Sequence, residues 1–260
     1  MKKSFKLIII FIVLILLVVF SRNLIAKTLI KSLVESITGL HLSIESVDLG
    51  ISNTTIDTQG LKLYNPSNFP DKIMADIPQI YIDFSLGALL KRKIYFKELK
   101  LDLKEFIVVK NKDGKLNLDS LKTVKEGKEK AKKEKGVKKD GLLKMQIDAL
   151  HLKIDRVIYK DYTKGLPPPM IKKYNVNLNE KYTNITDPQQ LAQLILYRAL
   201  IKTSIAGLAG FSIDFLQHNL TNLLQQTGIL GKPALKALEL GEGVEGAVKE
   251  TGEKLKGIFK

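Results

Sequence analysis

The chain has 260 residues, with 42 Lys and Arg against 27 Asp and Glu, a formal net charge of +15. It contains no Cys, which excludes disulfides, thiolate metal sites and thiol chemistry. Lys greatly outnumbers Arg, the residue that reads phosphate and base edges in bidentate fashion, and nine of the lysines lie within residues 122–139. The charge therefore favours solvation and a membrane surface over nucleic-acid recognition.

The N-terminal segment is an apolar run of fourteen residues, Leu7 to Phe20, preceded by lysines. Fourteen helical residues span about 21 Å of a hydrocarbon core that is ~30 Å thick, and snorkelling by Arg22 extends this reach. A cleaved signal peptide has the same charged start and apolar run. No small-x-small cleavage pattern follows the run, so we favour a retained anchor over residues 1–22. Its short tail indicates an N-in orientation, although cations also follow the run.

Residues 23–39 predict an amphipathic helix, because apolar residues recur there every three to four positions. Gly39 is a suitable C-cap for this helix. The helix is expected either to dock on the domain or to lie at the membrane interface. Its apolar stripe consists of Leu24, Ile25, Leu29, Leu33, Val34 and Ile37.

Residues 40–120 and 142–186 alternate apolar and polar residues, which predicts half-buried strands in an antiparallel sheet. The tight-turn sequence 111–114 separates two of them. The Lys/Glu-rich segment 121–141 interrupts the alternation as a solvated insertion. One face of the sheet is predicted to be continuously apolar, through Leu61, Leu63, Ile80, Ile82, Phe84, Leu99, Leu101 and Leu103.

The region 187–260 is predicted to be helical, which makes the chain α+β overall. Asp187 and Pro188 form a helix-start signal, with Asp as N-cap and Pro in the first turn. The apolar stretch 191–209 carries Arg198 and a second cation near its middle, so a second membrane span would be costly. We favour a buried or sheet-covering helix. An amphipathic helix over 211–226 and a polar tail follow.

The search for catalytic or metal-binding motifs favours no enzyme and no cofactor. His41, His151 and His218 are each more than sixty residues from the next, without a companion ligand cluster, so we expect no metal site. Residues 241–246 match Gly-x-Gly-x-x-Gly, but a helical stretch precedes them and two Glu sit where a pyrophosphate would bind.

The order of features is more informative than any single motif. The stretches that carry it are Thr38 to Val47, Gly60 to Pro66, Ile80 to Leu90, Ile94 to Leu101 and Asn111 to Leu118. Together they resemble the N-terminal region of the AsmA-like envelope proteins of Gram-negative bacteria, relatives of the bridge-like lipid-transfer proteins. The resemblance covers residues 1–120 and continues loosely through 143–180.

The resemblance implies a single-pass inner-membrane anchor, a periplasmic β-sheet curved into a groove, and a role in envelope lipid homeostasis, lipid transport or envelope assembly. It carries over no catalytic residues. This chain departs from the family in being short, with helices rather than further strands from about residue 190. A groove of this length would not cross a periplasm alone.

Two classes of function remain open from the sequence. The apolar sheet face either shields phospholipid or acyl chains in a groove, or forms an ordinary closed core under the C-terminal helices. Alternatively the protein is a scaffolding subunit that binds another envelope protein, with Leu191, Leu194, Ile195 and Leu208 as docking candidates. Nucleic-acid binding through residues 122–139 is disfavoured, since that run has no aromatic side chains for stacking.

Overall fold

A computed structural model describes residues 21–50, 53–125, 145–164, 168–217 and 220. The predicted membrane anchor lies almost entirely outside the described residues, as do most of the Lys-rich insertion, His218 and the C-terminal tail. Within the described ranges, no helix combines the length and apolarity needed to cross a membrane.

Seven strands form one open, mixed sheet, in the order β1-β3-β4-β5-β6-β7, with β2 also pairing to β3. The strands are β1 (Leu42–Ser43), β2 (Ser46–Gly50), β3 (Thr55–Tyr64), β4 (Ile73–Phe84), β5 (Ile94–Lys110), β6 (Met145–Asp161) and β7 (Met170–Ile185). The predicted class, α+β with a large sheet, is therefore confirmed.

The prediction of an antiparallel sheet is wrong for one pair of strands. β5 and β6 run parallel, from Ile94 opposite Met145 to Lys110 opposite Asp161, while the other pairs among the described strands are antiparallel. The chain leaves β5 and returns through residues 111–144, and a crossover of that length allows a strand to re-enter in the same direction. Alternation of apolar and polar residues indicates that one face of the sheet is exposed to water, but it does not indicate the direction of the neighbouring strand.

The long strands are irregular at a common level across the sheet, where the alternation of buried residues shifts by one position. In β5 the buried residues before the shift are Leu99, Leu101 and Leu103, and those after it are Phe106 and Val108. In β6 they are Leu150, Leu152 and Ile154 before the shift, and Val157 and Tyr159 after it. At the same level, Gly60 in β3 has φ +63° and Asn177 in β7 has φ +44°. Irregularities of this kind bend and twist strands, which accounts for the curvature of the sheet.

Among the described residues, the helices beside the sheet include α1 (21–38), α2 (Leu86–Leu90), α3 (Pro188–Ile201) and α4 (Ile205–Ala209), with shorter helical stretches at 117–120, 122–125 and 214–217. Gly39 ends α1 with φ +74° and an N–H bond to the carbonyl of Glu35, 2.8 Å, which confirms the predicted C-cap. Asp187 caps α3 by accepting from the backbone N–H of Gln189, 2.9 Å, as predicted. The apolar stretch 191–209 is divided between α3 and α4.

The polar face of the sheet carries cross-strand ion pairs. Lys153 contacts Asp102 at 3.2 Å, and His151 contacts Glu98 at 3.2 Å, all with partly exposed side chains. Exposed pairs of this kind add little stability, but they identify the face that meets water. The opposite face is apolar and lies under α1 and α3.

Several chain segments meet at one end of the sheet, which we call the α2 end. Close to the first described residue of α1, the Asn23 side chain accepts from the N–H of Leu49, 3.0 Å, at the end of β2. The neighbouring turn is bonded to the end of β4, because the N–H of Phe84 donates to Thr54 O, 2.9 Å. β5 and β6 both begin here and α2 lies between β4 and β5. The predicted anchor therefore joins the domain at the α2 end.

Candidate functional site

A cavity of about 220 Å³ lies between α1, the apolar face of the sheet and α3. It is larger than the ~150 Å³ at which apolar cavities in other proteins stay dry and take up benzene or xenon. Its lining residues are Ile30, Leu33, Val34, Ile37, Thr38, Leu42, Thr58, Leu63, Ala75, Ile77, Ile80, Ile82, Phe96, Leu99, Leu101, Leu103, Phe106, Leu121, Thr123, Met145, Pro188, Leu191, Ala192, Ile195, Leu196 and Ala199.

The chemistry of the cavity is almost wholly hydrocarbon. In the part of the chain that the structure describes, no charged side chain lines it and the polar side chains that do are three threonines, of which Thr58 already donates to Ile80 O, 3.1 Å. A charged or strongly polar ligand would lose its hydration there without gaining partners. Among the described residues, no three or more His, Asp and Glu side chains lie close enough together to hold a metal ion. The cavity is suited to an apolar ligand.

Six of the eight residues predicted for the apolar face line this cavity: Leu63, Ile80, Ile82, Leu99, Leu101 and Leu103. Leu61 is fully buried in the core, and Phe84 packs against that core while remaining partly exposed. The structure thus brings most of the predicted face together and leaves space between it and the helices.

The four docking candidates are placed differently from one another. Leu191 and Ile195 line the cavity from α3, and Leu194 is fully buried. Leu208, on α4, is 37% exposed. Most of the apolar surface of α3 is therefore used inside this chain, and docking of another protein on these helices stays a prediction.

A partly buried ion pair joins α3 to β7. Arg198 contacts the carboxylate of Glu180, and the hydroxyl of Tyr182 donates to the same carboxylate. Burial of Tyr182, and then its bond to Glu180, raise the pKa of its phenol, while the charge of Arg198 opposes the shift. The sequence showed Arg198 as a cation in an apolar stretch but gave no sign of its partner.

α1 covers the other side of the cavity; Ala26 is buried in the core, Ile30 and Val34 pack against it, and polar contacts add to this. Lys27 Nζ donates to Glu45 O, 3.2 Å, and the carboxylate of Glu35 accepts from the N–H of Leu42, 3.2 Å. The predicted stripe is divided between two sides of α1. Leu33, Val34 and Ile37 line the cavity, whereas Leu24, Ile25 and Leu29 are exposed at 67%, 49% and 62%.

The far end of the sheet, opposite the α2 end, is held by a buried asparagine that the sequence did not single out. The side chain of Asn117 accepts from the N–H of Val109, 2.9 Å, and donates to Ile107 O, 2.8 Å, and to Asn65 Oδ1, 2.9 Å. These bonds use both N–H groups of the Asn117 side-chain amide and one lone pair of its oxygen. They join the 111–118 turn to the loop after β3. We call this the Asn117 end.

Comparison with models of known protein families finds a match over most of the chain. The family model described as "AsmA family" matches residues 1–227, which include α1, the whole sheet and α3. No curated protein matches the chain.

Proposed function

Because this chain belongs to the AsmA family, we propose that it is a non-enzymatic envelope protein, anchored in the inner membrane, that holds an acyl chain of a lipid. The observation that supports this is the cavity of about 220 Å³ between α1, the sheet and α3, lined by hydrocarbon and three threonines. An acyl chain gains from transfer into such a site, while a charged headgroup stays outside it.

The position of the cavity favours a ligand that comes from the membrane. Its lining reaches the α2 end through Met145, Phe96 and Pro188, at the starts of β6, β5 and α3. The predicted anchor, residues 1–22, joins the domain at that same end. With the N terminus inside the cell, the domain lies in the periplasm and the cavity faces the outer leaflet of the membrane.

A closed core is the alternative, and the packing argues against it. Protein interiors are close-packed, and voids larger than one water molecule are few. Here α1 and α3 leave a space much larger than one water molecule over the middle of the apolar face. The sheet itself is well packed, since Leu103 is 2% exposed and Ile147 is fully buried. The short sheet suits holding or handing over one acyl chain near the membrane rather than bridging the periplasm.

The test is to narrow the cavity and count lipid. The full chain would be purified in mild detergent, extracted, and its acyl chains measured per mole of protein by mass spectrometry. Ala192→Phe adds a ring inside the cavity, and Ala206→Phe adds the same ring on α4, outside the lining. We expect Ala192→Phe to lower bound lipid several-fold and Ala206→Phe to leave it unchanged. Unmodified protein without co-purifying lipid, or equal lipid in both variants, would refute acyl-chain binding.

A further inference from the structure

The short helix α2 exposes three leucines and three cations in succession. Leu86, Leu89 and Leu90 are 47%, 52% and 80% exposed, and no residue of α2 is buried. Lys91, Arg92 and Lys93 follow directly and are also exposed, and residues 85–93 contain no acidic residue. Large apolar side chains on a soluble surface are usually scattered, so three on one five-residue helix call for an explanation.

α2 is a well-defined element. The hydroxyl of Ser85 accepts from the N–H of Ala88, 3.3 Å, at its start. At its end the N–H of Lys93 donates to Ala88 O, 3.0 Å, and that of Arg92 donates to Leu89 O, 2.9 Å. This is the Schellman pattern, in which the residue with positive φ is most often glycine.

Arg92 occupies that position with φ +56°. A residue with a side chain is strained in this conformation, and glycine would relieve the strain. The arginine therefore keeps a cation beside the exposed leucines at an energetic cost to the fold. Strained residues that persist in this way concentrate at binding sites and switch regions.

The location of α2 identifies the surface that it meets. It lies at the α2 end, beside the first described residues of α1, where the predicted anchor enters the domain. The first half of α1 adds Leu24, Ile25 and Leu29 to the exposed apolar residues. An apolar surface bordered by the cations at 91–93, in a segment (85–93) that contains no acidic residue, matches a bilayer interface with anionic headgroups.

We propose that α2 is a second membrane contact, in addition to the anchor. Leu86, Leu89 and Leu90 enter the interfacial layer, and the cations at 91–93 bind anionic headgroups. This inference rests on the membrane anchor in the proposed function, but not on lipid in the cavity. A single helical tether leaves a domain free to rotate about it, whereas two contacts at one end orient the cavity lining at Met145 toward the bilayer.

The chain contains no Trp, so one introduced tryptophan is an unambiguous reporter of this contact. The full chain would be reconstituted in phosphatidylcholine vesicles, with and without phosphatidylglycerol, using lipids with brominated acyl chains as quenchers. Leu90→Trp probes α2, and Ile171→Trp is the matched control, since Ile171 is 47% exposed at the Asn117 end. We expect the fluorescence of Leu90→Trp to be quenched about two-fold at interfacial depth, and that of Ile171→Trp to be unchanged.

The charge contribution is tested on the same reporter. Adding Lys91→Gln, Arg92→Gln and Lys93→Gln to Leu90→Trp should remove the extra quenching that phosphatidylglycerol produces. If the chain floats with the vesicles and Leu90→Trp is quenched no more than Ile171→Trp, the α2 contact is refuted and the anchor stands. Failure of the unmodified chain to float would refute both. If Leu90→Trp is quenched in vesicles but the purified protein carries no co-purifying lipid, the α2 contact is supported and only acyl-chain binding in the cavity is refuted.

Discussion

The two helices that enclose the cavity are held in different ways. α3 has fourteen residues, eight of them buried, and an ion pair that joins it to β7. Along the eighteen described residues of α1 only Ala26 is buried; the half-buried Ile30 and Val34 pack against the core, and Asn23, Lys27 and Glu35 add polar contacts. The cavity therefore has one side formed by a mostly buried helix and one side formed by a mostly half-buried or exposed helix.

The same contrast appears on the surface. Of the nine large apolar side chains that are exposed among the described residues, six lie on α1 and α2: Leu24, Ile25, Leu29, Leu86, Leu89 and Leu90. α3 contributes none of them. One side of the molecule thus packs against its own sheet, while the other presents apolar surface where the membrane is proposed to lie.

The largest expected effect comes from truncating one leucine on each helix. Leu194 is fully buried on α3, so Leu194→Ala should lower the free energy of unfolding by about 3–4 kcal/mol, through lost transfer energy and a new void. Leu33 is partly exposed and already borders empty space, so Leu33→Ala should cost less than about 1 kcal/mol. Urea unfolding of the full chain, followed by circular dichroism, measures both.

The contrast between α3 and α1 is contradicted if Leu194→Ala and Leu33→Ala lower the free energy of unfolding by the same amount. Equal losses would mean that α1 is as much a part of the cooperative core as α3. Leu208→Ala, at a site that is 37% exposed, provides the surface reference and should change the unfolding midpoint little.

A second substitution removes the ion pair that holds α3. Arg198→Met leaves the carboxylate of Glu180 and the hydroxyl of Tyr182 without their cation, and we expect a loss of about 2–3 kcal/mol. The value is at the low end for a broken buried pair, because the Glu180 side chain is 26% exposed. Urea midpoints would be compared with those of Arg198→Met/Glu180→Gln, which should recover part of the loss. Equal stability of Arg198→Met and the unmodified chain would show that packing alone holds α3.

The sequence predicted most of what local rules govern. The N-cap at Asp187, the C-cap at Gly39 and the turn at 111–114 follow from residue type and spacing, and the structure has all three. Alternation also located the apolar face that the cavity uses. These features depend on residues within a few positions of one another.

Features that depend on distant residues could not be predicted. The parallel pairing of β5 with β6 joins positions 51 residues apart, such as Glu105 and Arg156, and alternation is the same for either direction. The ion pair of Arg198 with Glu180 joins a helix to a strand through tertiary packing. The division of the α1 stripe depends on which side of the helix faces the sheet, since Ala26 is buried next to the exposed Ile25. Such features arise from the arrangement of the elements, not from their local sequence.

The side of the molecule with α3 should also be sensitive to alkaline pH. Tyr182 is fully buried and the pKa of its phenol is raised, so in the unfolded chain it ionises first, near pH 10. Its contribution to stability is complete below about pH 10 and declines above it, by at most ~1.4 kcal/mol per pH unit. Tyr159, whose pKa burial raises to about 12, acts in the same direction. Urea midpoints at pH 9, 10 and 11 should fall less steeply in Tyr182→Phe; an identical slope would contradict this assignment.

The smallest expected effect has the opposite sign and concerns the other side of the molecule. Arg92→Gly relieves the left-handed conformation at φ +56°, and part of that gain is offset by the greater freedom of glycine in the unfolded chain. A net stabilisation of about 0.5 kcal/mol should result. Arg92→Ala removes the same charge and keeps the strain, so it separates the two contributions.

If α2 is a membrane contact, stability and contact should change in opposite directions at this position. Arg92→Gly in the Leu90→Trp background should raise the urea midpoint and reduce the quenching that phosphatidylglycerol adds. Arg92→Ala should reduce that quenching without raising the midpoint. A higher midpoint with unchanged quenching in Arg92→Gly would mean that the arginine is tolerated strain with no role at the membrane. A lower urea midpoint together with lower quenching in Arg92→Gly would show that the cation is kept because it strengthens the fold around α2.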